Sequence, residues 1–219
     1  MISIKDLPHW SDILFAVIGT ILCGFGCGLA NYAALGMDAI GSFYDGLRNI
    51  LGFESSQIGT VSYIVSFILF VFLFIAGRKY IHIGSIIYVL FYGIFANLGT
   101  MLMENMITSD IIWLRAMIGV LGLLTLFFGL GIFITIDIGV DAFTGVVLWI
   151  CDVTHKKMET VKILFDLTLA VSGILMGAHI GILTVISIAA GGPVISFFTK
   201  RFQKFYFRHK LGSMRSDSK

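Results

Sequence analysis

The sequence predicts an all-α polytopic membrane protein, with six transmembrane helices arranged as two inverted three-helix repeats and an additional short interfacial or re-entrant helix in each. Three observations carry that expectation. Hydrophobic residues make up 58% of the chain and charged residues 13%, with a mean hydropathy of +0.97, above the roughly 45–50% apolar share of soluble domains. Six apolar runs approach the length of a bilayer-crossing helix. Finally, Gly26-Cys27-Gly28 through Leu35-Gly36-Met37-Asp38-Ala39 returns as Gly129-Leu130-Gly131 through Ile138-Gly139-Val140-Asp141-Ala142, with every matched residue 103 positions on. That offset is too long for a solenoid repeat and suits two halves of a transporter-like fold.

The runs fall at Ile13–Leu35, Ile58–Ala76, Ile81–Met103, Ile111–Ile136, Met158–Met176 and Ile180–Phe198, each near the roughly twenty residues that a crossing requires. Met1–Asp12, with Pro8, His9 and Trp10, reads as an interfacial lead-in. The first run exceeds a signal-peptide core and no small-residue cleavage pattern follows it, so it counts as a crossing. Ala39–Leu51 and Ala142–Cys151 follow the first and fourth crossings directly and are too short to span, which makes them interfacial or re-entrant. One membrane domain, 1–219, thus holds repeat one at 11–105, repeat two at 111–199 and a basic aromatic tail at 200–219.

Net charge is +2, but its distribution says more. With the N-terminus inside, Lys5, Arg78, Lys79, Lys156, Lys157, Lys162 and seven basic residues from Lys200 to Lys219 fall on the cytoplasmic side, leaving Arg48 and Arg115 outside. Enrichment of Lys and Arg in cytoplasmic loops therefore predicts that both termini are cytoplasmic. Three crossings per repeat is an odd number, so the second repeat enters from the opposite face. If the short helices also crossed, the repeats would be parallel and this agreement would be lost.

Leu35-Gly36-Met37-Asp38 and Ile138-Gly139-Val140-Asp141 each read as a helix stop at glycine followed by a start at aspartate. Broken helices persist at membrane depth only where protein or a watery cavity satisfies the freed backbone. Two readings stand for Asp38 and Asp141. They are N-caps at the membrane surface, or they bind a cation, a proton or a substrate amine, supported by Ser42 and Thr144. Asp166 in the fifth crossing pairs with Lys162 one turn earlier, or forms a proton or ion relay with Asp137 as neighbour.

Other polar groups have ordinary explanations. Arg115, beside Trp113 and near Asp110, is an outer-interface anchor, and Asn31, Asn97, Thr184 and Ser187 form interhelical hydrogen bonds. Cys23, Cys27 and Cys151 lack disulfide or zinc spacing and serve as small packing residues. His82 and His179 have no clustered partners, so no metal and no cofactor is expected. Gly191-Gly192-Pro193 is expected to interrupt the last crossing, with Gly93 at the comparable place in the third. Breaks there would let one half rock against the other. In the tail, Lys200, Arg201, Lys204 and Arg208 alternate with aromatic rings, which points to lipid phosphates and the bilayer interface rather than nucleic acid. Ser213–Lys219 is expected to be disordered.

Taken in order, Leu35-Gly36-Met37-Asp38-Ala39, Tyr44-Asp45-Gly46-Leu47, Gln57-Ile58-Gly59, Ile83-Gly84-Ser85 and Gly93 resemble the YitT/YczE-type family of bacterial integral membrane proteins, over nearly the whole membrane region. Ala39 stands where such proteins often have Pro, and Ser85 where Thr is common. The resemblance implies a bacterial plasma-membrane location and adds little about substrate.

The leading functional expectation is a small-solute or ion transporter or permease, with its site between the repeats and the lipid bilayer as its medium. A homo-oligomer is compatible with it. Two alternatives belong to other classes: a substrate-binding membrane subunit of an ATP-driven importer, and a non-transporting accessory protein. An enzyme is not expected, since no intramembrane His/Glu ligand set, Gly-x-Ser-x-Gly turn or phosphate-binding loop is present in the sequence.

Overall fold

A computed structural model describes residues 9–76, 80–107 and 111–216, without the side chains of Glu159 and of residues 207–216. Among the described residues the chain is all-helical and has no strand. The order is α1 (Trp10–Ala33), α2 (Ala39–Leu51), a 3₁₀ turn (Ser55–Gln57), α3 (Ile58–Ala76), α4 (Ile83–Met106), α5 (Ile112–Ile136), α6 (Ala142–Thr154), α7 (Met158–Leu175) and α8 (Ile182–Ser216). Five segments are long and apolar enough to cross a membrane: α1, Ser55–Ala76, α4, α5 and Ile182–Tyr206. The molecule is a multi-pass membrane protein.

The expected fifth crossing differs from these. It forms α7, 18 residues long, but Glu159, Lys162 and Asp166 all fall within it, so it lacks the uniformly apolar character of the other five. Short α2 and α6 form where expected, each 13 residues long.

The fold is built around the antiparallel pair α1 and α5, whose apolar stretches are 50% and 56% buried against protein, compared with 22% for that of α8. Glycine makes their close approach possible. A Cβ on Gly26 would lie 2.5 Å from the Gly122 carbonyl, and one on Gly129 would lie 2.5 Å from the Gly19 carbonyl. At the centre of the crossing the Cys23 thiol donates to the Leu126 carbonyl at 3.6 Å, across 103 residues of sequence. These contacts are reciprocal: Gly19 and Gly26 stand 103 residues before Gly122 and Gly129, and each meets the counterpart of the other.

The outer helices pair both within and between the halves. α4 packs on α1 and α8 on α5, while α2 packs on α7 and α6 on α3. Large side chains such as Phe67, Ile75, Ile163, Ile182 and Phe197 point outward, as a lipid-facing surface requires.

Two helices depart from the sequence expectation. α8 continues without interruption through Gly191-Gly192-Pro193, and Gly93 lies inside an unbroken α4. A Cβ at Gly59 would strike the Gly93 carbonyl, so Gly93 serves α3–α4 packing. The tail is also not a loose extension, because α8 runs to Ser216, with Ser213 inside it. At 1.5 Å per residue its 35 residues reach about 52 Å, well beyond a hydrocarbon core of about 30 Å. Phe202 and Tyr206 pack edge-on against Phe15, and the Tyr206 hydroxyl bonds Asp12. Lys200, Arg201 and Lys204 remain exposed; the side chain of Arg208 lies outside those described, as do Lys5, Arg78, Lys79 and Asp110.

Candidate functional site

Each central helix ends in the same backbone device. The residue after α1, Ala34, and the residue after α5, Asp137, are left-handed at φ 53° and 54°. Gly36 and Gly139 then take φ of 100° and 156°, values that L side chains rarely adopt. Asp38 and Asp141 follow as extended N-cap residues of α2 and α6. The helix stop therefore comes two residues before the expected glycine, which instead carries the turn.

Each break is sewn to a helix from the other half of the chain. The Leu183 N–H, in the first turn of α8, donates to the Leu35 carbonyl at 3.2 Å, and the Gly84 N–H, in the first turn of α4, donates to the Ile138 carbonyl at 3.1 Å. The first break gains more cover. Its Met37 N–H donates to Thr184 Oγ1 at 3.1 Å, and its Met37 carbonyl accepts from Ser187 and Ser42 at 3.3 and 3.4 Å. Buried backbone polar groups need such partners, and here α8 and Ser42 of α2 supply them.

The two carboxylates have different surroundings. Asp141 is a working cap: it accepts the Thr144 N–H at 3.1 Å and the Thr144 hydroxyl at 2.6 Å. Asp38 lies close to Gly41 in the first turn of α2 without making a well-formed cap bond, and its Oδ1 is buried with no hydrogen-bond partner of good geometry. Lys162 and Asp166 lie within its electrostatic reach. Met37 of the first break and Phe143, two residues after Asp141, belong with Cys23, Tyr44 and Tyr92 to one buried cluster, so the two breaks border one interior region.

That region is lined by aromatic residues. Tyr88 stacks on Tyr92 at 5.2 Å between ring centres, Tyr44 approaches Tyr92 at 6.3 Å, and Phe143 meets Tyr44 edge-on at 5.7 Å. Their hydroxyls supply polarity that the apolar pattern of the sequence concealed. Cys23 and Cys27 are fully buried beside Tyr88 and Tyr92.

Ser42 is buried and serves the Met37 carbonyl rather than Asp38. Asp166 pairs with Lys162 at 2.6 Å on the same face of α7. Asp137 is exposed at the end of α5. Asn31 donates to the Ser55 carbonyl and to Thr100, and Asn97 accepts the Gly59 N–H, so both are interhelical links.

A second polar cluster went unrecognised in the sequence. Asp45 accepts from Arg48 Nη2 at 2.7 Å and from Nε at 3.1 Å, and also accepts the His179 main-chain N–H at 2.7 Å. Burial alone would raise its pKa; the His179 N–H and the Arg48 guanidinium outweigh that and hold the carboxyl below its usual range. The spacing of Asp45 and Arg48, three apart on one short helix, was the available signal.

The family model of DUF6198, a family of unknown function, matches residues 10–200. No curated protein and no solved structure matches the chain. The chain belongs to the DUF6198 family.

Proposed function

We propose that this member of the DUF6198 family is a small-solute or ion transporter or permease, with its site in the interior region bordered by the two helix breaks. One observation carries the reading: the breaks bond reciprocally, Leu35 to α8 and Ile138 to α4, and leave Asp38 with a buried oxygen that no hydrogen bond satisfies. A carboxylate with a buried oxygen of that kind suits a cation, a proton or an amine. Discontinuous helices meeting at the interface of two related halves are a recurrent way to build such a site.

The same contacts support a duplicated ancestry in which the halves insert with opposite orientation. Exchange of counterpart residues across α1 and α5 is the pattern of a two-fold relation. α7 then serves as a sixth crossing, since its 18 residues reach about 27 Å and can span with slight local thinning. On this reading both termini are cytoplasmic, the protein works in the bacterial cell membrane and the YitT/YczE resemblance reflects kinship. No chemistry on a substrate is assigned.

The test is flux. Purified full-length protein in proteoliposomes, assayed with pH-sensitive and Na⁺- or K⁺-sensitive dyes and with labelled amines, should show movement that Asp38→Asn abolishes and Asp141→Asn reduces. No flux with any of these, together with a co-purifying ATPase, would favour the importer-subunit reading. No flux with a stable non-ATPase partner would favour the accessory role.

A further inference from the structure

A cavity of about 290 Å³ opens at the end of α1 where the first break begins, with Ala34 in its wall. We propose that it is a binding site for a small oxyanion of carboxylate or phosphate type. Its polar lining comes from Asn31, Arg48, Ser55, Glu104, Arg115 and His179, drawn from six separate parts of the chain. Its size lies at the lower edge of the roughly 300–1,000 Å³ typical of small-molecule sites, which suits an ion of a few heavy atoms.

Donors dominate this lining. Arg48 is buried and held rigidly, since it bonds Asp45 through Nε and Nη2 and the Phe53 carbonyl through Nη1. Its remaining guanidinium N–H groups supply a fixed fork of the kind that recognises carboxylate and phosphate. Arg115 lies over the Tyr32 ring at 5.7 Å, and the Tyr32 hydroxyl is itself anchored on the Ile107 carbonyl at 2.6 Å. A stacked guanidinium is thereby held in place beside the cavity. Asp45 does not line the cavity, because Arg48 and His179 occupy it from behind. Glu104 and His179 are exposed and form the rim. Two guanidinium groups and one carboxylate, Glu104 at the mouth, therefore line the cavity, while Asp45 balances Arg48 from behind. The sequence placed Arg48 and Arg115 as the two basic residues on the outer face, and the fold brings both to one cavity.

The test uses the full chain in nanodiscs. Melting temperature is followed against sodium phosphate and sodium succinate, with sodium chloride at matched ionic strength as control, in phosphatidylcholine and in phosphatidylglycerol discs. Saturable stabilisation by phosphate or succinate in phosphatidylcholine supports a soluble oxyanion. Stabilisation confined to phosphatidylglycerol supports the same chemistry supplied by a lipid headgroup. In either case Arg115→Gln should weaken the effect by about tenfold, as expected for loss of a charged hydrogen bond, and Glu104→Gln should strengthen it. Should Arg115→Gln fail to fold, Glu104→Gln on the exposed rim decides alone. The proposal is overturned by no saturable shift under any condition, by an unchanged response in Arg115→Gln, or by weaker binding in Glu104→Gln.

Discussion

Asp45 on α2 accepts the main-chain N–H of His179, 134 residues further along the chain, at 2.7 Å. That bond fastens a short helix to the turn between α7 and α8, and Asn49 reinforces it by donating to the Gly177 carbonyl at 2.6 Å. A carboxylate whose folded pKa is depressed stabilises the fold above its unfolded pKa, near 3.9, and loses that contribution as pH falls through the folded value. The detergent-solubilised protein should therefore lose melting temperature as it is acidified below about pH 4. Asp45→Asn should melt lower than wild type at neutral pH and show a shallower acid slope. Parallel acid profiles for the two proteins would remove Asp45 as the cause.

Asp38 and Asp141 should respond oppositely to substitution, although they occupy the same place in the repeated motif. Asp141→Ala removes the cap on Thr144 and is expected to cost about 0.5–2 kcal/mol. Asp38→Asn replaces a carboxylate that has one buried, unpartnered oxygen with a neutral amide and should leave stability unchanged or raised. Thermal unfolding of both variants checks this, and equal destabilisation would contradict the asymmetry seen here.

Glycines at the helix crossings are expected to divide into two classes. Gly26→Val places side-chain carbon against main-chain atoms of α5 that cannot move aside, so a loss of at least about 1–3 kcal/mol is expected. At Gly192 an added Cβ meets nothing within 4 Å, and Gly192→Ala should be neutral or stabilising by up to about 1 kcal/mol. Flux that survives Gly192→Ala unchanged would exclude this residue as a hinge.

Topology can be read by labelling. In a Cys151→Ser background the native thiols Cys23 and Cys27 are buried and should stay silent. Single cysteines at Lys157 and Ala178, on either side of α7, should react with a membrane-impermeant maleimide from opposite faces. Reaction from one face would make α7 an interfacial helix and leave five crossings.

Membrane residence, helix locations and the repeated break were legible in the sequence, because each rests on local properties: apolar run length, and glycine followed by aspartate at one offset. The Lys162–Asp166 pair was legible for the same reason, as partners one turn apart on one helix share a face. Only the tertiary structure decided the rest. It showed that Asp141 caps its helix while Asp38 does not, that Thr184 and Ser187 serve the first break, and that Pro193 leaves α8 unbroken. It also folded Phe202 and Tyr206 back onto Phe15 and gathered Arg48, Arg115 and His179 around one cavity. These outcomes depend on which residues from distant segments meet. In a chain whose surface and core are both apolar, hydrophobic pattern does not distinguish the side that faces protein from the side that faces lipid.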